Sequence, residues 1–184
     1  MLALDTSSAK SALALIDGER VVAETVRPSG RDFDVAAEVA LLAPDVRVIQ
    51  SVMVALGPGS FTGLRQGIAF GVGLALSLGV PLLGIGTLDL AAARCREPAM
   101  AVSDAGRGRV YFQAPDGRRG VADVVDVPRA WPAVGWLREN VLPLLPEAGL
   151  RGFGEAVIVA RGAAREVGYG TVKPEYMGEF GRLV

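Results

Sequence analysis

The chain has 184 residues, of which 51% are hydrophobic, and a formal net charge of −1. This balance excludes a disordered polyelectrolyte and suits one domain or two small lobes, and no basic patch points to charge-driven nucleic-acid binding by this chain alone. The sequence holds no histidine and one cysteine, Cys95, which excludes histidine-dependent metal or nucleophile chemistry and an internal disulfide but leaves open a magnesium site made of carboxylates. The first residues, MLALDTSS, lack the basic start and long apolar run of a signal peptide, so we expect none, and the single cysteine fits a cytoplasmic location.

The first half of the chain predicts three strands in a row and then alternating helices and strands. Asp17-Gly18 is a hairpin signal between the second and third strands, and Pro44 stops the first helix. In chain order, the predicted elements are strands at 2–5, 11–16 and 20–26, a helix at 33–42, a strand at 51–56, a helix at 61–78, a strand at 81–85, and a helix at 88–96 capped by Thr87. This βββαβαβα order is that of the ribonuclease-H-like lobe of sugar kinases, actin and Hsp70-type ATPases, so the predicted fold class is α/β.

A boundary is predicted at Glu97-Pro98, which divides the chain into a first lobe (1–97) and a smaller, degenerate second lobe (98–184). The second lobe is predicted to contain strands at 99–103, 110–114 and 121–127 and a helix at 131–140. The glycine-rich tail from Gly149 gives no clear pattern.

The helix at 61–78 carries four glycines, at positions 63, 67, 71 and 73. Together they cost the isolated helix roughly 3–4 kcal/mol relative to alanine. No charge occurs from Gln66 to Leu88, but Gly79-Val80-Pro81 favours a buried helix, a break and a buried strand over a membrane span. The small residues form a ridge with a period of four, which lets a second backbone approach closely. That backbone could belong to the same chain or to a partner protein, and the pattern leaves both open.

Two turns are candidates for anion binding. Asp5, Ser7 and Ser8 follow the first strand, where the kinase-like ATPases hold a metal–phosphate complex, although an ordinary polar hairpin has the same composition. Gly57-Pro58-Gly59-Ser60 precedes the glycine helix and is more typical of a tight turn with Ser60 as the N-cap. Four arginines near a predicted hairpin, Arg107, Arg109, Arg118 and Arg119, are typical of solvated turn charge.

These segments together resemble the TsaB (YeaZ) family of the bacterial tRNA threonylcarbamoyladenosine machinery. The most specific one is GPGSFTGLR at 57–65, a nine-residue match to the family signature. Further support comes from LALDTSS at 2–8, GVPLLGIGTLDLAA at 79–92, SDAGRGRVY at 103–111, and Pro174 with Tyr176. The resemblance thus touches nearly the whole chain.

The resemblance implies a non-catalytic paralogue of TsaD, the subunit that transfers the threonylcarbamoyl group to adenosine 37 of ANN-decoding tRNAs. It implies no metal site, no catalytic residue, no required cofactor and no membrane contact. The implied partners are a TsaD-type transferase, a TsaE-type ATPase and a second copy of the chain when alone, with tRNA reached only through the complex. The implied interface lies on the first two helices, at Val35, Val39, Leu42, Phe61, Gly63, Arg65, Gln66, Gly67, Phe70 and Gly71.

The chain also departs from the family pattern. Gly106 and Arg109 stand where the family has an arginine and a glutamate, the stretch before the first helix lacks the usual His-Ser, and the second lobe is shorter than usual. The alternative hypothesis is a small ATP-binding enzyme of the sugar-kinase type. A peptidase, a third hypothesis, lacks both metal ligands and a nucleophile–base pair in this sequence.

Overall fold

A computed structural model describes residues 1–138 and 141–177. The strands are β1 (Leu2–Asp5), β2 (Lys10–Asp17), β3 (Arg20–Pro28), β4 (Val52–Gly57), β5 (Leu82–Gly86), β6 (Met100–Gly106), β7 (Arg109–Gln113), β8 (Arg119–Asp123), β9 (Ala133–Trp136) and β10 (Arg165–Glu166). The helices are α1 (Val35–Leu42), α2 (Phe61–Leu78), α3 (Thr87–Ala93) and α4 (Phe153–Ala160). The predicted βββαβαβα order of the first lobe is confirmed.

Six strands form the first sheet, in the order β10-β5-β4-β1-β2-β3. The β1 strand pairs parallel with β4, and β4 pairs parallel with β5, while β2 and β3 run as an antiparallel meander. Because β1, β4 and β5 run in the same direction, their carboxyl ends meet at one edge of the sheet. The loops that follow Asp5, Gly57 and Gly86 therefore lie side by side.

Helices cover both faces of this sheet, and alternate residues of β4 pack against the helices on opposite faces. Val52, Val54 and Leu56 point to the face covered by α1 and α2, whereas Met53 and Ala55 point to the face that carries α3 and α4. A strand buried on both faces reads as a continuous apolar run, because successive side chains alternate between the two layers.

The second sheet has four strands in the order β8-β7-β6-β9, with its own apolar cluster around Met100, Val110 and Phe112. The prediction of a helix at 131–140 is wrong over its described part, because residues 133–136 form β9 and pair parallel with β6. Gly135 has φ of 156°, and its backbone lies so close to the carbonyl of Val102 that a Cβ would overlap it. The predicted strand at 121–127 begins earlier, at Arg119, and ends at Asp123.

The chain returns to the first sheet after Gly152, within the range predicted as the second lobe. The α4 helix packs on β2 and β3, and the Gly154 N–H donates to Glu24 at 2.7 Å. The β10 strand then pairs antiparallel with β5, and the Glu175 N–H donates to the carbonyl of Leu56 at 2.6 Å. Residues 153–177 are therefore built onto the first lobe.

Glu147 connects the two sheets. Its carboxylate accepts hydrogen bonds from Lys10 at the start of β2 (3.1 Å), from the Trp136 indole of β9 (3.0 Å) and from the guanidinium of Arg94 after α3. The Arg94 guanidinium also lies over the Trp136 ring, 4.6 Å from its centroid. Burial alone would raise the pKa of Glu147, but the hydrogen bonds from Arg94 and Lys10 hold it below its usual value.

The predicted N-cap of α2 is confirmed, and the helix ends at the predicted break. The Ser60 hydroxyl caps the first turn by accepting from the Gly63 N–H at 3.4 Å, and Gly79 ends the helix in a left-handed conformation with φ of 65°. Within residues 1–138 and 141–177, α2 is the one helix long and apolar enough to cross a bilayer, with a mean hydropathy of 1.2. One face of it packs on the sheet, and the predicted break and strand follow it.

The predicted cap of α3 is wrong. Gly86 is the N-cap residue and makes no side-chain cap, while Thr87 is the first helical residue. The Thr87 hydroxyl instead pairs with the Ser7 hydroxyl at 2.9 Å. A threonine just before a predicted helix is an ordinary cap candidate. The contact with Ser7 could not be predicted, because it depends on where the β1–β2 loop lies at the edge of the sheet.

Candidate functional site

The GPGSFTGLR segment holds the β1–β2 loop against the start of α2. The Ser60 N–H donates to the carbonyl of Ser7 at 2.6 Å, and the Thr6 hydroxyl donates to the carbonyl of Gly63 at 2.6 Å. A Cβ at Gly59 would lie 2.8 Å from the Ser7 Cβ, and one at Gly63 would overlap the carbonyl of Thr6. The glycines of this motif are therefore required because two backbones cross without room for a side chain.

The rest of the glycine ridge also faces the protein's own sheet. A Cβ at Gly67 would overlap the Thr6 hydroxyl, and one at Gly71 would overlap Val54. Ala75 is fully buried on the same line, whereas Gly73 has open space where a Cβ would be. The sequence left open whether this ridge packs against the same chain or against a partner protein. In the structure it packs against the same chain.

The residues predicted for a partner interface therefore fall into two groups. The buried group faces the lobe's own core: Val35, Val39, Gly67 and Gly71. The second group lies outward or at the margin: Leu42, Phe61, Gly63, Arg65, Gln66 and Phe70. The interface itself stays a prediction, and only this second group can contact a partner without opening the core.

The outward faces of α1 and α2 form a surface that we call the helix-pair surface. Its exposed apolar side chains are Leu41 (73% exposed), Phe61 (53%) and Leu76 (61%). The remaining exposed residues of the two helices are small or uncharged apart from Arg65, and they are Ala36, Ala37, Ala40, Thr62, Gln66, Ala69, Gly73 and Ser77. The Arg65 guanidinium lies on the Phe61 ring, 3.7 Å from its centroid. Exposed leucine and phenylalanine on helices without a charged stripe make this surface a candidate for contact with a partner.

The predicted phosphate hairpin is turned inward. Asp5, Ser7 and Ser8 are each 4% exposed or less. The Asp5 carboxylate accepts from the Ser7 N–H at 2.8 Å, and the Ser8 hydroxyl pairs with the Ser103 hydroxyl at 3.4 Å. Burial raises the pKa of Asp5, against the opposing effect of the Ser7 hydrogen bonds. Asp5 lines a small cavity of about 10 Å³ together with Arg94, whose Nη1 is buried without a hydrogen-bond partner among the described residues.

An open cleft of about 510 Å³ lies between the two sheets, beside this hairpin. Its walls come from the β1–β2 loop, the start of α2, the β6–β7 hairpin, the residues after β9 and the C-terminal segment. The polar and aromatic residues that line it are Ser7, Ser8, Ser60, Phe61, Asp104, Arg107, Arg109, Tyr111, Arg138 and Tyr176. Asp5 is not among them. Arg138 had no sequence signal, and Tyr176 was singled out for the family resemblance and not as a site residue, because each reaches the cleft from an element that pairs with a distant part of the chain.

The other singled-out residues have structural roles. Arg118 pairs with Asp116 in the β7–β8 turn at 2.7 Å, and Trp136 is buried. Burial raises the pKa of the Cys95 thiol despite the nearby Arg94 and Arg151, which makes it a poor nucleophile. Within the described residues, no group of three or more cysteine, aspartate or glutamate side chains could hold a metal ion.

Solved structures show the same fold. The structure of YeaZ from Pseudomonas aeruginosa superposes with a TM-score of 0.72 over 96% of this chain and 98% of that chain, at 22% sequence identity. The two-sheet arrangement, with parallel strands flanked by an antiparallel meander, is the same α/β fold.

Sequence comparisons give the family. The family model described as TsaD, tRNA N6-adenosine threonylcarbamoyltransferase, matches residues 34–126, about half of the chain. The tRNA threonylcarbamoyladenosine biosynthesis protein TsaB of Bacillus subtilis is 34% identical over 122 residues, which are 60% of this chain and 52% of that protein. An uncharacterized protein of Mycobacterium tuberculosis is 31% identical over 135 residues, 68% of this chain and 64% of that protein. The chain belongs to the TsaB (YeaZ) family. The chain aligns with between 34% and 64% of the length of three curated relatives.

Proposed function

We propose that this protein is a non-catalytic assembly subunit that binds and activates a TsaD-type transferase in the synthesis of N6-threonylcarbamoyladenosine at position 37 of ANN-decoding tRNAs. The observation that carries the proposal is the helix-pair surface, which exposes Leu41, Phe61 and Leu76 and, among the exposed residues of the two helices, one charged side chain, Arg65. A family member with such a surface is suited to bury it against another protein.

The chemistry of the chain agrees with a non-catalytic role. The sequence has no histidine, and within residues 1–138 and 141–177 no cluster of three metal-ligating side chains is present. Asp5, the carboxylate best placed to order a metal–phosphate complex in a kinase-like enzyme, is 3% exposed and does not line the open cleft. The alternative of a small ATP-using enzyme is therefore less well supported by the site.

The partners follow from the same proposal. A TsaD-type transferase covers the helix-pair surface, a second copy of the chain covers it when the transferase is missing, and a TsaE-type ATPase joins the assembly. Transfer RNA is reached through the complex, which works in the cytoplasm. Small residues at the centre of the surface, Ala69 and Gly73, let a partner helix approach closely.

The test is the mass of the mixture of this chain and its own organism's TsaD-type protein, measured by size-exclusion light scattering. Leu76→Glu places a charge on the exposed face of α2, and Val159→Glu does the same on the exposed face of α4, where Val159 is 56% exposed. We expect a heteromer with the wild type and with Val159→Glu, and its loss with Leu76→Glu. A wild-type chain that stays monomeric in the mixture would overturn the proposal. A heteromer that survives Leu76→Glu would move the interface to another surface.

A further inference from the structure

We propose that the small cavity lined by Asp5 and Arg94 is a binding site for one ordered water molecule, which joins the two side chains at the junction between the sheets. The inference does not depend on the assembly role, because neither residue belongs to the helix-pair surface. It rests on an unpaired buried donor, on an acceptor with spare capacity, and on the size of the cavity that both line.

Arg94 provides the donor. Its side chain is buried, with Nε donating to the carbonyl of Arg151 at 3.3 Å and Nη2 donating to the Glu147 carboxylate. Within residues 1–138 and 141–177, Nη1 of Arg94 is the one buried side-chain nitrogen or oxygen without a hydrogen-bond partner. A buried donor that stays unpaired is costly, so native proteins pair such atoms with a protein group or with ordered water.

Asp5 provides the acceptor. Its described hydrogen bonds all come from Ser7, whose N–H donates to Oδ1 at 2.8 Å. A carboxylate offers about four acceptor positions, so Asp5 keeps the capacity to accept from a further donor. Among the described contacts, none joins Asp5 to Arg94 directly, although both line the same cavity. A molecule that bridges them has to accept from a guanidinium and donate to a carboxylate, and water does both.

The size and the lining of the cavity fit water. Its volume of about 10 Å³ is at the lower limit for one water molecule and excludes a larger ligand. Two hydroxyl-bearing residues, Ser8 and Thr87, also line it, which brings the polar partners within reach of a buried water to between two and four. The guanidinium disfavours a metal cation in the same space, and the carboxylate disfavours an anion.

The site lies where the two sheets meet. Asp5 ends β1 in the first sheet, whereas the Ser8 hydroxyl pairs with Ser103 on β6 and the Arg94 guanidinium lies over the Trp136 ring of β9. The bridging water therefore ties the end of β1 to side chains that contact the second sheet. Ser8 also lines the open cleft, so it stands between the cavity and a route for exchange with solvent.

A crystal structure of the full chain, at a resolution that shows ordered waters, is the direct test. We expect one peak of electron density in the cavity, about 2.7–3.2 Å from Nη1 of Arg94 and from a carboxylate oxygen of Asp5. Absence of density there, or a direct contact of Nη1 with a protein acceptor, would overturn the proposal.

A matched pair of substitutions on α3 tests the site in solution. Ala91 lines the cavity and Ala92, its neighbour on the same helix, does not, while both are half-buried. Valine adds two methyl groups at either position and has the same cost in helix propensity. Ala91→Val therefore extends a side chain at the cavity wall and displaces the water, whereas Ala92→Val leaves the water in place.

Oxygen-17 magnetic relaxation dispersion counts the water molecules that stay in a protein for longer than its rotation takes. Ala91→Val should lose one such water relative to the wild type and to Ala92→Val. Because its displacement leaves Nη1 of Arg94 unpaired, the urea midpoint of Ala91→Val should lie about 0.5–1 M below that of Ala92→Val. A higher midpoint for Ala91→Val, as for a valine that fills an apolar void, would overturn the proposal, and so would equal numbers of long-lived waters in all three proteins.

Discussion

Two glycines of α2, two positions apart in sequence, should respond in opposite directions to the same substitution. Gly73→Ala adds a methyl group in open space. Because alanine is about 1 kcal/mol more favourable than glycine inside a helix, the free energy of unfolding should rise by about 0.5–1 kcal/mol. Gly71→Ala gains the same helical propensity, but its Cβ would overlap Val54 and lie 3.5 Å from Val52.

The overlap at Gly71 cannot be relieved cheaply. Val54 is fully buried in the central strand β4, and a β-branched side chain has few alternative rotamers. Overpacking of this kind costs about 1–3 kcal/mol, which exceeds the gain in propensity. The net effect of Gly71→Ala should be a loss of about 1 kcal/mol, so the two variants should differ by about 2 kcal/mol, or about 4–8 °C in melting temperature.

Urea unfolding followed by circular dichroism measures both variants against the wild type. Equal effects of the two substitutions, within about 0.5 kcal/mol, would refute the placement of the glycine ridge against the sheet. A stabilising Gly71→Ala would do so as well, since it would show that the position is open.

Three further predictions concern the loop and the junction between the sheets. Ser60→Ala removes the cap of α2 and should lower the free energy of unfolding by about 1 kcal/mol in the same urea assay. Glu147→Gln leaves the buried Arg94 guanidinium without its ion pair, and we expect a loss of about 1–2 kcal/mol above pH 5, less than for a fully buried pair because the Glu147 side chain is 53% exposed. Since the folded-state pKa of Glu147 is lowered, this contribution should fade as pH falls through that pKa, so the two proteins should converge in acid melts. Asp5→Asn should raise the free energy of unfolding at neutral pH. Because the folded-state pKa of Asp5 is raised, the wild type loses stability as pH rises above the unfolded value of about 3.9. An Asp5→Asn variant that is no more stable than the wild type at neutral pH would contradict the burial of this charge.

The first lobe could be predicted from sequence because its signals are local. Continuous apolar runs at β4 and β5, the hairpin signal at Asp17-Gly18 and the Ser60 cap each report on a few neighbouring residues. The direction of the glycine ridge could not be predicted in the same way. Helical periodicity shows that a small face exists, but the contact that fills it, with Thr6 and Val54, comes from strands elsewhere in the chain.

The second half shows the same limit. Trp131, Val134 and Leu137 have a helical spacing of three, yet Pro132 and Gly135 disfavour a helix, and pairing with β6 decides for a strand. The α4 helix could not be predicted because Gly152 and Gly154 mask its start, although a Cβ at Gly154 would overlap Val21 on β3. The cleft residues Arg138 and Tyr176 likewise come together only through tertiary structure.

The central claim is that this chain activates a transferase through its helix-pair surface. The most direct measurement is threonylcarbamoyladenosine formed on an ANN-decoding tRNA in a reaction reconstituted from the organism's TsaD-type and TsaE-type proteins, with and without this chain. The account predicts modification that requires the chain, persists with Val159→Glu and is lost with Leu76→Glu. Modification at the full rate without the chain, or with Leu76→Glu in its place, would contradict it.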